Sequence, residues 1–291
     1  ITIRSMMKNR LFIFINIFGM GISIACCIVA YFNFKFNDDF DSNHVSAESI
    51  YRVSSLREFQ NENSLYGVAP IALGNVIRQN VKDVDKSSRY NMGGLTLKLG
   101  DQIFGENVRF VDPEFFEIFT FEFLHGGPAE LKSKTNLFLS DELAMKLFNS
   151  TDVVGKTISQ VLEGDSLREW QIGAVYKKQP MNSSFTDDAF ALHDNYFDAA
   201  AEVDENSWYY RTTVFARVNN PSRIPLIEQQ LLGYAENNNK VREDFVIRKF
   251  VLDPFVGMAV RDEIDDRAGT WTRHASPISA VVGCAVMAIL V

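Results

Sequence analysis

The sequence predicts an α+β fold: an apolar membrane-spanning helix, a two-lobed mixed α/β domain outside the cytoplasm, and the start of a second apolar helix. Three observations predict it. Residues 11–34, LFIFINIFGMGISIACCIVAYFNF, hold no charge over 24 positions, and residues 277–291, PISAVVGCAVMAILV, hold none either. Between them, apolar residues recur at alternating spacing in some stretches and at helical spacing in others, which marks strands interleaved with helices. Cys26, Cys27 and Cys284 all lie in the apolar runs, so residues 35–276 contain no cysteine and must be stable on their core alone.

Residues 1–10 carry Arg4, Lys8 and Arg10 and no acid. The run at 11–34 exceeds the ~20 residues needed to cross a bilayer as a helix. KFNDDFD follows with three acids, so the positive-inside bias places residues 1–10 in the cytoplasm and 35–276 outside. Two other readings compete. A cleaved signal peptide has a shorter apolar stretch, ~7–15 residues. A lipoprotein signal is loosely matched by Ser23-Ile-Ala-Cys26, but Ser stands where Leu is usual and the chain stays apolar afterwards. Residues 277–291 are expected to begin a second transmembrane helix cut by the end of a fragment.

In the outer segment, SIYRVSS (49–55) reads as a strand and APIALGNVIRQNV (69–81) as a helix with Ile71, Val76, Ile77 and Val81 on one side. LTLKLG and IFGENVRFV form a hairpin turning at Gly100-Asp101. Asp112-Pro113 predicts a cap and first turn for the helix PEFFEIF. TNLFLS (135–140) is a strand, and Ser140 caps the helix DELAMKLF, with Leu143, Leu147 and Phe148 inward. KTISQV, EWQIGAVY, YYRTTVFARVN (209–219) and DFVIRKFVL (244–252) are strands; IPLIEQQLLGYAE is a helix. No repeat is visible.

The net charge of −8 leaves −11 for residues 35–276 once the +3 of the N-terminus is set aside. With no basic cluster, a nucleic-acid partner is not expected. STDVVGKT (150–157) ends like a P-loop, but the first glycine is missing, since Ser150 occupies its place. A helix precedes it and a strand follows, the reverse of the P-loop order, so Gly155 is expected to make a turn into a strand. DDFDSNH sets Asp39, Asp41 and Asn43 at calcium-loop spacing, but His44 replaces the required glycine and Ile50 the bidentate glutamate. The stretch reads instead as a solvated acidic collar.

His44, His125, His193 and His274 lie far apart with no second ligand at metal spacing. Phe115, Phe116, Phe119, Phe121 and Phe123 read as core, because their spacing shifts from helical to alternating at FEF. Asn149 and Asn182 begin glycosylation sequons, which decide nothing by themselves. No residue is nominated as catalytic, cofactor-binding or metal-ligating, and no cofactor is expected.

Taken in order, RSMMKNRLFIFINIFGMGISIA, DDFDSNHVSAESIYRVSS, VAPIALGNVIRQNVKDV, VDPEFFEIF, LSDELAMKLF, VGKTI and the final apolar run resemble ABC-transporter permeases of the MacB and FtsX type. The resemblance covers nearly the whole chain, with 111–158 its best matched part. It implies a MacB-like periplasmic core domain at 35–276 in the inner membrane of a bacterium, and ATP bound by a separate cytoplasmic ABC ATPase subunit. A second permease copy, or a second half of the same chain, and a periplasmic adaptor are the further partners it suggests. The activity implied is mechanical transmission in export or efflux. An FtsX-like regulator of a cell-wall hydrolase and an anchored sensor domain are the alternatives.

Overall fold

The structure, a computed structural model, describes residues 10–59, 62–199, 203–261 and 264–265. The expected second span with Cys284, and also His274, Arg4 and Lys8, lie outside the described residues. The chain divides into two compact units, one holding the N-terminal helix and the other formed by Asp41–Trp271.

The helix α1 (Arg10–Asp38) has 29 residues and is thus ~43 Å long at 1.5 Å per residue, more than the ~30 Å of a hydrocarbon core. Its stretch Ile13–Asp38 is long and apolar enough to cross a membrane. Leu11, Phe14, Ile17, Phe18, Ile24, Val29 and Phe32 are all exposed around its circumference. A helix apolar on every side suits lipid rather than water.

The second unit is built on a 13-stranded sheet. β1 (Ile50–Phe59) lies between β12 (Ile247–Pro254) on one side and, on the other, β11 (Arg211–Arg217) followed by β2 (Glu62–Tyr66), all antiparallel. β3 (Ala69–Pro70) joins β11, and β13 (Ile264–Asp265) pairs with β2. Three helices complete this lobe: α2 (Ile71–Asn80), α6 (Ile224–Leu232) and α7 (Ala235–Asn239). Val53, Leu73, Ile77, Val214, Ile227, Leu231 and Phe250 form its core.

The other lobe is a ring of strands. β4 (Lys86–Leu99) pairs with β5 (Gln102–Val111), β5 with β10 (Ala189–Leu192), β10 with β7 (Asn136–Ser140), and β7 with β9 (Leu167–Tyr176). β8 (Thr157–Val161) pairs with both β9 and β4, so the pairings close on themselves. β6 (Phe123–His125) adds to β9 outside the ring, and α5 (Asp194–Ala199) follows β10. Alternation along each strand sorts the side chains into two cores. Leu137, Leu139, Ile172, Ala189 and Ala191 join α4 (Asp141–Phe148) in one. Phe138, Ala174, Tyr176 and Phe190 join α3 (Phe115–Ile118) in the other. β4 and β11 carry the sheet from lobe to lobe.

Local chemistry sets several boundaries. The Ser140 hydroxyl accepts from the Leu143 amide at 3.0 Å to start α4, and Asn149 ends it in the left-handed conformation. Leu99 pairs with Gln102, so Gly100-Asp101 is a two-residue hairpin turn, with φ +60° at Gly100. The expected helix over 224–236 is broken into α6 and α7 at Gly233-Tyr234. The expected cap at Asp112 is a correction. Its backbone carbonyl accepts from Phe115, but its carboxylate turns inward to the Arg89 guanidinium at 2.7 and 2.9 Å. A buried arginine needs a charged partner more than a single helical turn needs a cap.

Candidate functional site

The chain enters the domain just after α1, at residues 39–45. Residues 39–45 are a solvated collar only in part, which corrects the expectation from the acidic composition: Asp41 and His44 are buried, whereas Ser42 and Val45 are exposed. Asp41 takes the left-handed conformation at φ 59°. Its amide donates to the Asn182 carbonyl at 2.8 Å, and its carboxylate accepts from the Ser184 amide at 2.6 Å and the Ser184 hydroxyl at 2.7 Å. Both oxygens are thus engaged by protein, which gives this residue a structural role in place of a calcium one. Burial pushes its carboxyl up to about 6 against the opposing effect of the Ser184 bonds.

His44 is held in an aromatic cage. Its ring centroid lies 5.3 Å from that of Phe119, 5.7 Å from Phe185 and 5.5 Å from Phe255. Nδ1 accepts from the Thr120 amide at 3.1 Å, which sets the proton on Nε2. Protonation at Nδ1 would break that bond, and burial lowers the imidazole to about 4. The Asn43 amide reaches Gln179 at 2.6 Å, and Gln179 in turn donates to the Thr120 carbonyl.

Phe255 belongs to the segment leaving β12. Its amide donates to the Ile50 carbonyl at 2.9 Å, and its ring packs on Phe119 and Phe185. Arg261, further along, pairs with Asp253 at 3.0 Å and donates to the Pro254 and Val256 carbonyls. Asp253 also binds the buried Arg52 at 2.8 Å. The entering chain and the segment that follows β12 are therefore fastened to one aromatic core.

The other sequence candidates lie elsewhere. Gly155 has φ +84° and turns the chain into β8, as the P-loop comparison anticipates; Lys156 rests over the Phe148 ring. Phe115, Phe116 and Phe119 are buried and Phe121 and Phe123 pack against them, so the run is core. His193 is buried, with Nε2 2.8 Å from Asn91 Oδ1. It faces the ion cluster in which Asp112 joins Arg89 and Arg78. Although burial acts to raise Asp112, the Arg89 guanidinium holds it well below the usual carboxylate range. His125 stands on β6, and Asn149 and Asn182 are the cap and carbonyl already described. Ser184, Thr120 and Phe255 were not singled out from sequence. The only cue was that SSF and PFVGM place an aromatic beside small residues, which is too common to be read.

An exposed apolar helix is followed by a two-lobed domain of one strand ring and one helix-backed sheet, the layout of a membrane-anchored domain. Residues 13–234 match the family described as MacB-like periplasmic core domain. The chain belongs to that family, the periplasmic domain of ABC permeases, and is a membrane protein with an extracytoplasmic domain. The fold is shared with a domain of a protein described as a permease from Porphyromonas gingivalis: TM-score 0.61, 20% identity, 72% of this chain and 91% of that one covered. The periplasmic region of MacB from Actinobacillus actinomycetemcomitans aligns with TM-score 0.49 and 10% identity over 72% of this chain and 90% of that one. The extracellular domain of the noncanonic ABC-type transporter YknZ from Gram-positive bacteria gives 0.45 and 10% over 70% and 98%. No curated protein matches significantly.

Proposed function

We propose that this chain is a permease subunit of an ABC export or efflux system that carries ATP-driven motion from a separate cytoplasmic ATPase into its outer domain. In this reading α1 crosses the inner membrane with residues 1–10 in the cytoplasm, residues 35–276 lie outside, and 277–291 begin a second span. A second permease copy or half completes the membrane unit, and a periplasmic adaptor is a further partner. The observation that carries the reading is the shared fastening: His44 on the entering chain and Phe255 on the leaving chain meet at 5.5 Å. A tilt of α1 would therefore reach this core through Asp41 and His44 and move the lobe as a body.

The test uses the full chain with its ATPase, spin-labelled at Val154 in each of two copies. ATP with vanadate is expected to change the distance between the labels. An unchanged distance, with ATP still hydrolysed, would sink the transmission reading. Stimulation of the ATPase by an amphiphilic export substrate supports transport, whereas capture of a cell-wall hydrolase without such stimulation moves the assignment to an FtsX-like regulator.

A further inference from the structure

We infer that the loops bearing Val45 and Met181, with Val256 beside them, enter the outer face of the lipid bilayer. This rests on the reading above that α1 spans the membrane. Val45 is 89% and Met181 85% exposed, the highest values among large apolar side chains in the described part of Asp41–Trp271; Val256 is 51% exposed. Isolated apolar residues on a surface are ordinary, but these stand on adjoining segments. The Asp41 amide bonds to the Asn182 carbonyl and the Asn43 amide to Gln179, which sets residues 43–45 beside 179–182. The His44 and Phe255 rings in contact bring up Val256, the residue after Phe255.

Covalent geometry names the occupant. Only Asp39 and Phe40 separate the end of α1 at Asp38 from the buried Asp41, and three peptide steps span at most ~11 Å. The helix runs four residues past the apolar stretch ending at Phe34, or ~6 Å. Asp41 is therefore held within roughly 17 Å of the hydrocarbon edge, and the headgroup layer fills the first ~5–7 Å of that. A bilayer is in reach of every molecule, whereas a protein partner would have to be recruited. The nearby lysines are already paired, Lys177 with Glu122 and Lys178 with Asp188, so contact is apolar and does not call for anionic lipid.

The experiment labels the full chain, in a Cys26→Ser, Cys27→Ser and Cys284→Ser background, with an environment-sensitive fluorophore at one of four sites. These are Val45→Cys, Met181→Cys, Ile24→Cys as the membrane reference and Ile103→Cys, at the hairpin end of β5, as the aqueous one. In zwitterionic nanodiscs, labels at 45 and 181 are expected to emit to the blue of 103. Lipid spin-labelled near the headgroup should quench them at least half as strongly as 24. Emission like that of 103 overturns the inference while 24 stays quenched. A blue shift without lipid quenching also overturns it, since the cover is then protein. If 24 itself is unquenched, the spanning reading fails, and this inference with it.

Discussion

His44 and Asp41 are buried three residues apart in sequence and respond to acid in opposite directions. Asp41 is raised from 3.8 to about 6, so its contribution to stability is full below pH 3.8 and is lost as pH rises through about 6. His44 is lowered from 6.5 to about 4, so its contribution is full above pH 6.5 and is lost as pH falls through about 4. Between pH 6 and 4 the two cancel, and the collar's share of the stability is nearly flat. Asp41→Asn removes one side of the balance. Its stability should fall by about 1.4 kcal/mol per pH unit more steeply than that of the native chain from pH 6 to 4. His44→Gln should show the opposite slope, gaining stability on acidification. Denaturant unfolding across that range checks both, and parallel curves for all three proteins would refute the assignment. At the ion cluster, Asp112→Asn leaves Arg89 buried without its counter-charge and should cost about 3–5 kcal/mol by the same measurement.

The elements themselves can be probed at two glycines of equal conformation and unequal surroundings. Gly155 has φ +84° and open space where a Cβ would stand. Gly126 has φ +72°, but a Cβ there would lie 2.5 Å from the Gly173 carbonyl oxygen and 3.0 Å from Ala174 Cα, both backbone atoms of β9. Gly155→Ala should therefore cost only the left-handed strain, about 1 kcal/mol, or a drop of about 2–4 °C in Tm. Gly126→Ala must also push β6 off β9 and should lower Tm at least twice as far; equal drops would mean that the contact does not constrain the strand. Elements of this kind were also the ones legible in sequence. The Gly100-Asp101 turn, the Ser140 cap and the phenylalanine run each carry a local signal, because backbone conformation or side-chain spacing suffices to specify them. The first half of β4, KSSRYNMGG, does not read as a buried strand. Its burial depends on Arg89 meeting Asp112 and Asn91 meeting His193, partners 23 and 102 residues away. The collar failed for the same reason: Asp41 finds Ser184 across 143 residues, and no periodicity records such a pairing.

At the scale of the whole molecule, transmission requires that the link between helix and domain be stiffer than the domain's own motion. Two residues, Asp39 and Phe40, join the end of α1 to the fastened Asp41, and in the proposed reading so short a tether passes on most of a tilt. Lengthening it is the direct test. A Gly-Ser-Gly-Ser insertion between Asp39 and Phe40 adds a flexible stretch of roughly 10–12 Å root-mean-square length. It leaves every contact of His44, Ser184 and Phe255 in place, so the outer domain should keep its thermal stability. The ATP-driven distance change should shrink, and shrink further when Phe255→Ala loosens the aromatic core around His44 as well. If the insertion lowers neither the distance change nor the ATP-coupled activity, force enters the domain by another route and the fastened core serves stability alone. If the insertion lowers Tm, the tether contributes to folding, and the comparison must be made with the Gly155→Ala chain, whose Tm is lowered at a turn away from the tether.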